Sequence, residues 1–391
     1  MWHELKERLR TEAHHLGLDV LRVAPAVEPP NADKLRPWIE EGCQASMAWL
    51  GRDPETRQNP AALLDGARSV VVVGCFYRPA EESLAHLADP GRMGIAAFAW
   101  GRDYHEVILE KLERLREWLH GHLGQEIPTR LLVDSGRAME KPLAHATGIG
   151  WPGKNSLLVS RRFGCWLLLG EMVLPLPLPP DPVERDHCGS CRRCMDACPT
   201  GALDKPYRLD ARRCLSYLTI EEKEAIPTDL RRAMGNRLFG CDDCLVACPW
   251  NRFAPKNPPA EFPSTPASGA SRLLDGLEWD KSAFHLRFRS TPIGRLGRTR
   301  FLRNLAVALG NWGSVEAVQA LTGLLREPEP LVRQHAAWGL GHALESGPRE
   351  NNGHIIACLN AHRALETDPA TLEELNSALR QAGRGGDSSL T

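Results

Sequence analysis

The chain has 391 residues, 42% of them hydrophobic and 25% charged, which fits a soluble globular protein of two or three domains and excludes a disordered or fibrous one. A formal net charge of −1 leaves no global field to attract nucleic acid, so any such contact must come from a local patch. The polar start MWHELKERLR lacks the apolar core of a secretory signal, and the longest apolar stretch, VVVVGCFY at 70–77, is too short to span a bilayer; the expected location is cytoplasmic, with no membrane contact.

In chain order, SVVVVGCFY at 69–77, TRLLVDSG at 129–136 and CWLLLGEMVL at 165–174 are apolar runs that predict strands. Between the first two, YHEVILEKLERLREWLHGHL at 104–123 repeats Ile108, Leu112, Leu115 and Leu119 at helical spacing, with Asp103 and Glu106 as a capping pair. Residues 1–175 therefore form an α/β domain. LPLPLPPDP at 174–182 holds five prolines in nine residues and ends it. A cysteine-rich domain spans 176–254, and PKNPPAEFPSTPASGA at 255–270 is a second connector. Residues 271–391 read as all-helical. LRNLAVALG at 302 and VRQHAAWGLG at 332 are similar enough to suggest stacked helix pairs of the HEAT-like kind.

Twelve cysteines in a reducing compartment point to metal rather than disulfides. Eight fall within 61 residues; Cys43, Cys75, Cys165 and Cys358 read as small core hydrophobes. Cys188-x2-Cys191-x2-Cys194-x3-Cys198-Pro199 is the bacterial ferredoxin spacing, in which three close thiolates hold one 4Fe–4S cluster and the fourth crosses to another. Cys241-x2-Cys244-x3-Cys248-Pro249 repeats it one cysteine short, and Cys214 completes the count. The expected sets are Cys188, Cys191, Cys194 and Cys248 for one cluster, and Cys198, Cys214, Cys241 and Cys244 for the other. Paired zinc sites are the alternative, but zinc gives no reason for the repeated three-residue gap before proline. Clusters carry electrons singly and choose no substrate. The chain is either an electron carrier or an enzyme whose clusters feed a redox centre in the first domain.

GRDYHEVI at 101, VDSG at 133, GWPGKNSL at 150, CLSYLTIE at 214 and GNRLFGCDDC at 235, together with the cysteine runs, resemble the epoxyqueuosine reductase family. The resemblance implies a nitroreductase-like cobalamin domain, a ferredoxin-like double-cluster domain and a HEAT-like tail. It implies reduction of epoxyqueuosine to queuosine in a tRNA anticodon loop, using cob(I)alamin fed by two 4Fe–4S clusters. It also implies that cobalamin binds without a histidine ligand. The D-x-H-x-x-G signature of histidine-ligated cobalamin begins at Asp103-Tyr104-His105 but has Ile108 where glycine is required, so Asp103 reads as a cap and His105 as a first-turn residue.

By the same resemblance Asp134 is the proton donor, where an Asx turn is the plainer reading. To keep a proton near neutrality its pKa must rise from about 3.9 toward 6 or 7, roughly 3–4 kcal/mol of destabilised carboxylate. Arg57, Ala97, Asp134, Leu158, Leu169, Ser216, Cys241 and Asp242 fall at cofactor-contact positions. Lys154 and Asn155 read equally as corrin or substrate contacts and as parts of a polar turn. Residues 281–303 carry seven Lys or Arg and no acid, a density that suits phosphates. The expected tRNA contacts are Arg287, Arg295, Arg298 and Arg300, with Lys223. The expected protein is a monomer served by an unidentified external electron donor. A reductive dehalogenase acting on small molecules, a ferredoxin-type electron-transfer protein and a helical scaffold with structural metal are the rival readings.

Overall fold

The apolar run at 69–77 forms the strand Ser69–Phe76, with every residue buried. In the computed structural model, which describes residues 1–79, 88–134, 136–256, 262, 271–346 and 351–384, this strand is second in a sheet of order Val20–Pro25, Ser69–Phe76, Leu167–Leu174, Arg130–Leu132, antiparallel throughout. Both of its faces are covered, so its sequence is continuously apolar rather than alternating. Apart from residues 255, 256 and 262, the expected connector at 255–270 lies outside the described residues.

The helix Tyr104–Leu123 starts at Asp103, whose side chain accepts the His105 N–H, and ends at Gly124 in the left-handed region. It buries Ile108, Leu112, Leu115 and Leu119, each stabilising the contact by roughly 1.5–3 kcal/mol. Gly170 makes the approach possible: a Cβ there would stand 2.6 Å from Ile108 Cγ2. The other face of the sheet carries Val70, Val72, Leu132, Leu169 and Val173, packed with Leu143 and Ala144 of the helix Glu140–Ala146 and with Leu158.

This sheet belongs to a unit made of Met1–Ala80, Gly101–Cys214 and Asp242–Ser264. In its cysteine region, Arg193–Asp196 and Asp243–Val246 are short helices, each followed by a Cys-Pro pair, Cys198-Pro199 and Cys248-Pro249. A second unit comprises Glu81–Trp100, Leu215–Cys241 and Thr265–Thr391. Here Gly94–Ile95 pairs in parallel with Arg237–Phe239. The helices Arg298–Trp312, Val315–Leu324, Pro330–Ser346, Asn352–Arg363 and Pro369–Arg384 follow. Arg298–Trp312 crosses Pro330–Ser346 through glycine, since a Cβ on Gly310 would stand 2.6 Å from Gly339 Cα. Arg303 is wholly buried and donates to the Leu218, Glu222 and Glu224 carbonyls and to Asn304 Oδ1; Asn304 donates to the Thr219 and Leu238 carbonyls. That network ties the segment 215–241 to the helical stack. Among the described residues, no helix is long and apolar enough to cross a membrane.

Candidate active site and cluster cradle

Asp134 follows the strand Arg130–Leu132 with φ +46°, a left-handed conformation that aspartate tolerates better than most residues. Its side chain is 53% exposed, open enough to meet a substrate. Tyr104 Oη donates to Asp134 Oδ2. His105 Nε2 lies 3.1 Å from the same oxygen, and His105 Nδ1 lies 2.8 Å from Asp103 Oδ1. A neutral imidazole has only one N–H. Bonding both carboxylates therefore requires one proton more than a neutral imidazole supplies, so the Asp103–His105–Asp134 line holds a transferable proton. Tyr104 stacks on His105 with centroids 4.2 Å apart. Burial and the Asp134 charge push the Tyr104 phenol far above its ordinary pKa, so it remains a donor.

The rise expected for Asp134 is reversed in this chain. Burial pushes its carboxyl up, but hydrogen bonds from His105 and Tyr104 and the charges of His105 and Lys141 outweigh it and hold the pKa below the usual range. The acid that is raised is Glu140, whose Oε1 accepts the Asp134 N–H. Burial, then the Asp134 charge, push Glu140 up to about 8. His105, read from the sequence as a first-turn residue, is in contact with Asp134. Only its i+2 spacing from Asp103 hinted at that.

Arg57 lies in the last turn of the short helix Pro54–Gln58, capped by Asp53, and is 9% exposed. Its Nη1 donates to the Gly136 carbonyl at 3.3 Å and its guanidinium lies 5.0 Å from the Trp49 ring centroid, while its buried Nε has no hydrogen-bond partner. Leu158 and Leu169 share the apolar cluster beneath the sheet. Asp242 is buried in the same unit. Ala97, Ser216 and Cys241 belong to the second unit, Ala97 buried and the other two half-buried.

Cys188, Cys191, Cys194 and Cys248 line one cavity together with Lys154, Asn155, His187 and Trp250, and these four are the first set expected from spacing. Burial, then the charges of Cys248 and Cys188, raise the Cys194 thiol. Cys244 is raised by burial and then by the charges of Cys214 and Cys198. The charge contributions show that these thiols stand near one another, as cluster ligands must. Among the described residues, no three His, Cys, Asp or Glu side chains group as they would for one metal ion; the four cysteines surround a cavity, and a cubane spreads its thiolates over four irons.

Lys154 donates to the Gly189 and Cys191 carbonyls at 2.5 and 3.0 Å, and Asn155 to the Cys244 carbonyl at 3.3 Å. The GWPGKNSL turn thus braces both cysteine loops. Cys165, read from the sequence as a small core hydrophobe, is buried as expected, accepts from Asn155 Nδ2 at 3.9 Å and holds the Cys248 thiol below its ordinary range.

In the second unit the basic run divides. Arg298 makes a two-point ion pair with Glu327 at 2.9 and 3.0 Å, Arg300 donates to the Leu296, Ile220 and Arg295 carbonyls, and Arg303 is interior. Lys281, Arg287, Arg289, Arg295 and Lys223 are exposed, with Arg287 over the Trp279 ring at 4.6 Å.

Comparison with known proteins accounts for both halves of this arrangement. Residues 187–251 match the 4Fe-4S double cluster binding domain, and residues 57–135 match the family described as "Epoxyqueuosine reductase QueG, DUF1730". The epoxyqueuosine reductase of Pseudomonas aeruginosa is 38% identical, covering 86% of this chain and 94% of that protein. A crystal structure of epoxyqueuosine reductase with an epoxyqueuosine-modified tRNA-Tyr stem loop superposes with a TM-score of 0.88 at 30% identity, covering 98% of this chain and 100% of that one. A Bacillus subtilis epoxyqueuosine reductase, with its aspartate-bearing catalytic loop swung out of the active site, gives 0.86 at 29% identity, covering 97% and 100%. The Xanthomonas campestris epoxyqueuosine reductase is 40% identical over 336 residues, 85% of this chain and 94% of that protein, and the chain belongs to the epoxyqueuosine reductase family.

Proposed function

We propose that this chain reduces the epoxide of epoxyqueuosine in a tRNA anticodon loop to the alkene of queuosine, with Asp134 delivering a proton to the departing oxygen. The observation that carries this reading is the Asp134–His105–Asp103 line with Tyr104 on the same carboxylate, in a chain whose cysteines cradle clusters. The proton shared between His105 Nε2 and Asp134 Oδ2 is the one delivered. Tyr104 orients the carboxylate, and Asp103 fixes the imidazole ring.

Cobalamin fits the residues present. Arg57 has a buried Nε–H without a partner, a donor suited to the amide or phosphate periphery of a corrin, and Leu158 and Leu169 are apolar. The chemistry that cobalamin supplies when bound is reductive cleavage of a C–O bond. Within the first unit, Arg57, Asp134, Leu158, Leu169 and Asp242 are its proposed contacts. Ala97, Ser216 and Cys241 keep the same role by family resemblance, and Cys241 also keeps its place in the second cluster set.

The finer architecture is proposed in the same way: a nitroreductase-like domain at 1–175, a ferredoxin-like domain at 176–254 and a HEAT-like domain at 271–391, in a cytoplasmic monomer. For tRNA, the exposed Arg287, Arg295 and Lys223 are the proposed phosphate contacts, while the half-buried Arg298 and Arg300 are engaged with Glu327 and with the Ile220 carbonyl.

The test is anaerobic reconstitution with iron, sulfide and cobalamin, addition of a low-potential one-electron donor, and nucleoside analysis of the digested tRNA. Wild type should form queuosine. Asp134→Asn should lose about 100-fold or more in rate while keeping cluster and cobalamin absorption. Unreacted epoxyqueuosine with the wild type, or full activity in the variant, overturns the proposal.

A further inference from the structure

Lys154 stands in the turn of a small hairpin in which Trp151–Pro152 pairs with Leu158–Val159. The turn is tightly built. The Gly153 N–H donates to the Leu157 carbonyl at 2.7 Å, and a Cβ on Gly153 would stand 2.5 Å from Asn155 Oδ1. Two neighbouring side chains leave this turn, and each reaches a different cysteine run. Lys154 Nζ donates to the Gly189 and Cys191 carbonyls at 2.5 and 3.0 Å, inside the run that begins at Cys188. Asn155 Nδ2 donates to the Cys244 carbonyl at 3.3 Å, inside the run that begins at Cys241.

A neutral amide is enough to brace a loop, as Asn155 shows, so bracing gives no reason for a charge at 154. The cavity surrounded by Cys188, Cys191, Cys194 and Cys248 gives one. Among the described residues that line it, Lys154 is the one lysine or arginine, and no aspartate or glutamate lines it. Adding an electron makes a cluster more negative, so a fixed cation beside it favours the reduced form and raises its potential. Behind the lining, Asp186 opposes the lysine: its Oδ1 accepts the Cys188 N–H at 2.7 Å and its Oδ2 accepts from Tyr207 Oη. Arg161 and Glu184 pair with each other at 3.1 Å and largely offset one another beside His187. In the other thiolate set, the buried Asp242 acts by its charge on Cys244.

We propose that Lys154 tunes the cluster of the Cys188 set, raising its potential so that this set takes an electron before the Cys198 set does. The step moves one electron: a low-potential external donor is oxidised, the cluster is reduced, and no bond or proton changes place. Opening an epoxide to an alkene consumes two electrons, and a cluster that stays reduced keeps one at hand while the other is delivered. The inference rests on the cluster assignment within the proposed function and not on the identity of the substrate.

The experiment is an EPR-monitored redox titration of the anaerobically reconstituted holoenzyme, with iron and sulfide content measured in each variant. Wild type should show two one-electron waves. Lys154→Gln keeps a donor and removes the charge. It should move the higher wave to more negative potential by about 59 mV, a tenfold change in the ratio of reduced to oxidised cluster, and leave the lower wave in place. Lys154→Arg keeps the charge and should recover at least half of that shift. Asp186→Asn keeps the acceptor for the Cys188 N–H and should move the same wave in the opposite direction. Full iron and sulfide content in Lys154→Gln with both waves at their wild-type positions overturns the inference, and so does an equal shift of both waves. Should Lys154→Gln lose its clusters, Asp186→Asn decides: an upward shift of the higher wave upholds the inference and an unmoved wave overturns it. If the waves move as stated while wild type forms no queuosine, the inference stands and the proposed function falls.

Discussion

Replacing Glu171 with leucine should make the chain more stable at neutral pH, and by an amount that grows with pH. The carboxyl is wholly buried without a hydrogen-bond partner, and its pKa is pushed well above the ordinary range by burial and then by the Glu140 and Asp134 charges. The unfolded chain releases this proton near about pH 4.3. A group whose folded pKa is raised gives stability that is complete below the unfolded pKa and is lost as pH rises toward the folded one. The loss runs at about 1.36 kcal/mol per pH unit while the folded acid keeps its proton, or roughly 3 kcal/mol between pH 5.5 and 7.5. Leucine has no proton to hold and suits the surround of Val72, Leu132, Leu169 and Val173. Urea unfolding of the anaerobic holoprotein, followed by tryptophan fluorescence at half-unit pH steps, reads the difference directly. A difference that stays constant across the window refutes the reasoning. So does a wild type that gains on the variant as pH rises.

Other outcomes follow from the same structure. Tyr104→Phe removes one donor from Asp134 while leaving the His105 contact, so the rate should fall by about 10-fold with KM unchanged in steady-state assays of queuosine formation. Cys165→Ala removes the buried thiol that holds Cys248 below its ordinary range, and the cluster expected on that cysteine should titrate at a more negative potential in EPR-monitored reduction. Arg303→Ala strands the Leu218, Glu222 and Glu224 carbonyls in the interior and should cost roughly 3 kcal/mol or more in thermal unfolding. Lys281→Glu combined with Arg289→Glu should weaken tRNA binding and flatten its salt dependence in filter-binding titrations.

The sheet and the long helix were legible because their signals are local. The valines at 70–73 sit in one buried strand, and the Ile108–Leu119 stripe sits on one helical face. The cysteine spacing was legible for the same reason, since eleven residues suffice to state it. Arg303 was misread because nothing within several residues of it tells an interior arginine from a surface one. The carbonyls it donates to lie 79 to 85 positions away. The same network puts 215–241 in one unit with the helices of 298–384, a grouping that its place in the sequence does not suggest. The Asp134 pKa went wrong in sign because burial is guessable from an apolar run, whereas Tyr104 and His105 on its carboxylate come from a different element.

Glu171 shows how a local rule and a functional site pull apart. Read along the chain, CWLLLGEMVL is an apolar strand with one anomalous acid, and the pleat carries that acid inward instead of toward solvent. An unpartnered interior carboxyl lowers stability at the pH where the enzyme works, and leucine at the same position would not. Packing therefore gives no reason for it. What the pleat fixes instead is proximity: Asp134 lies two residues beyond Leu132, the cross-strand neighbour of Glu171, so the exposed carboxylate of the site acts by its charge on the buried acid behind it.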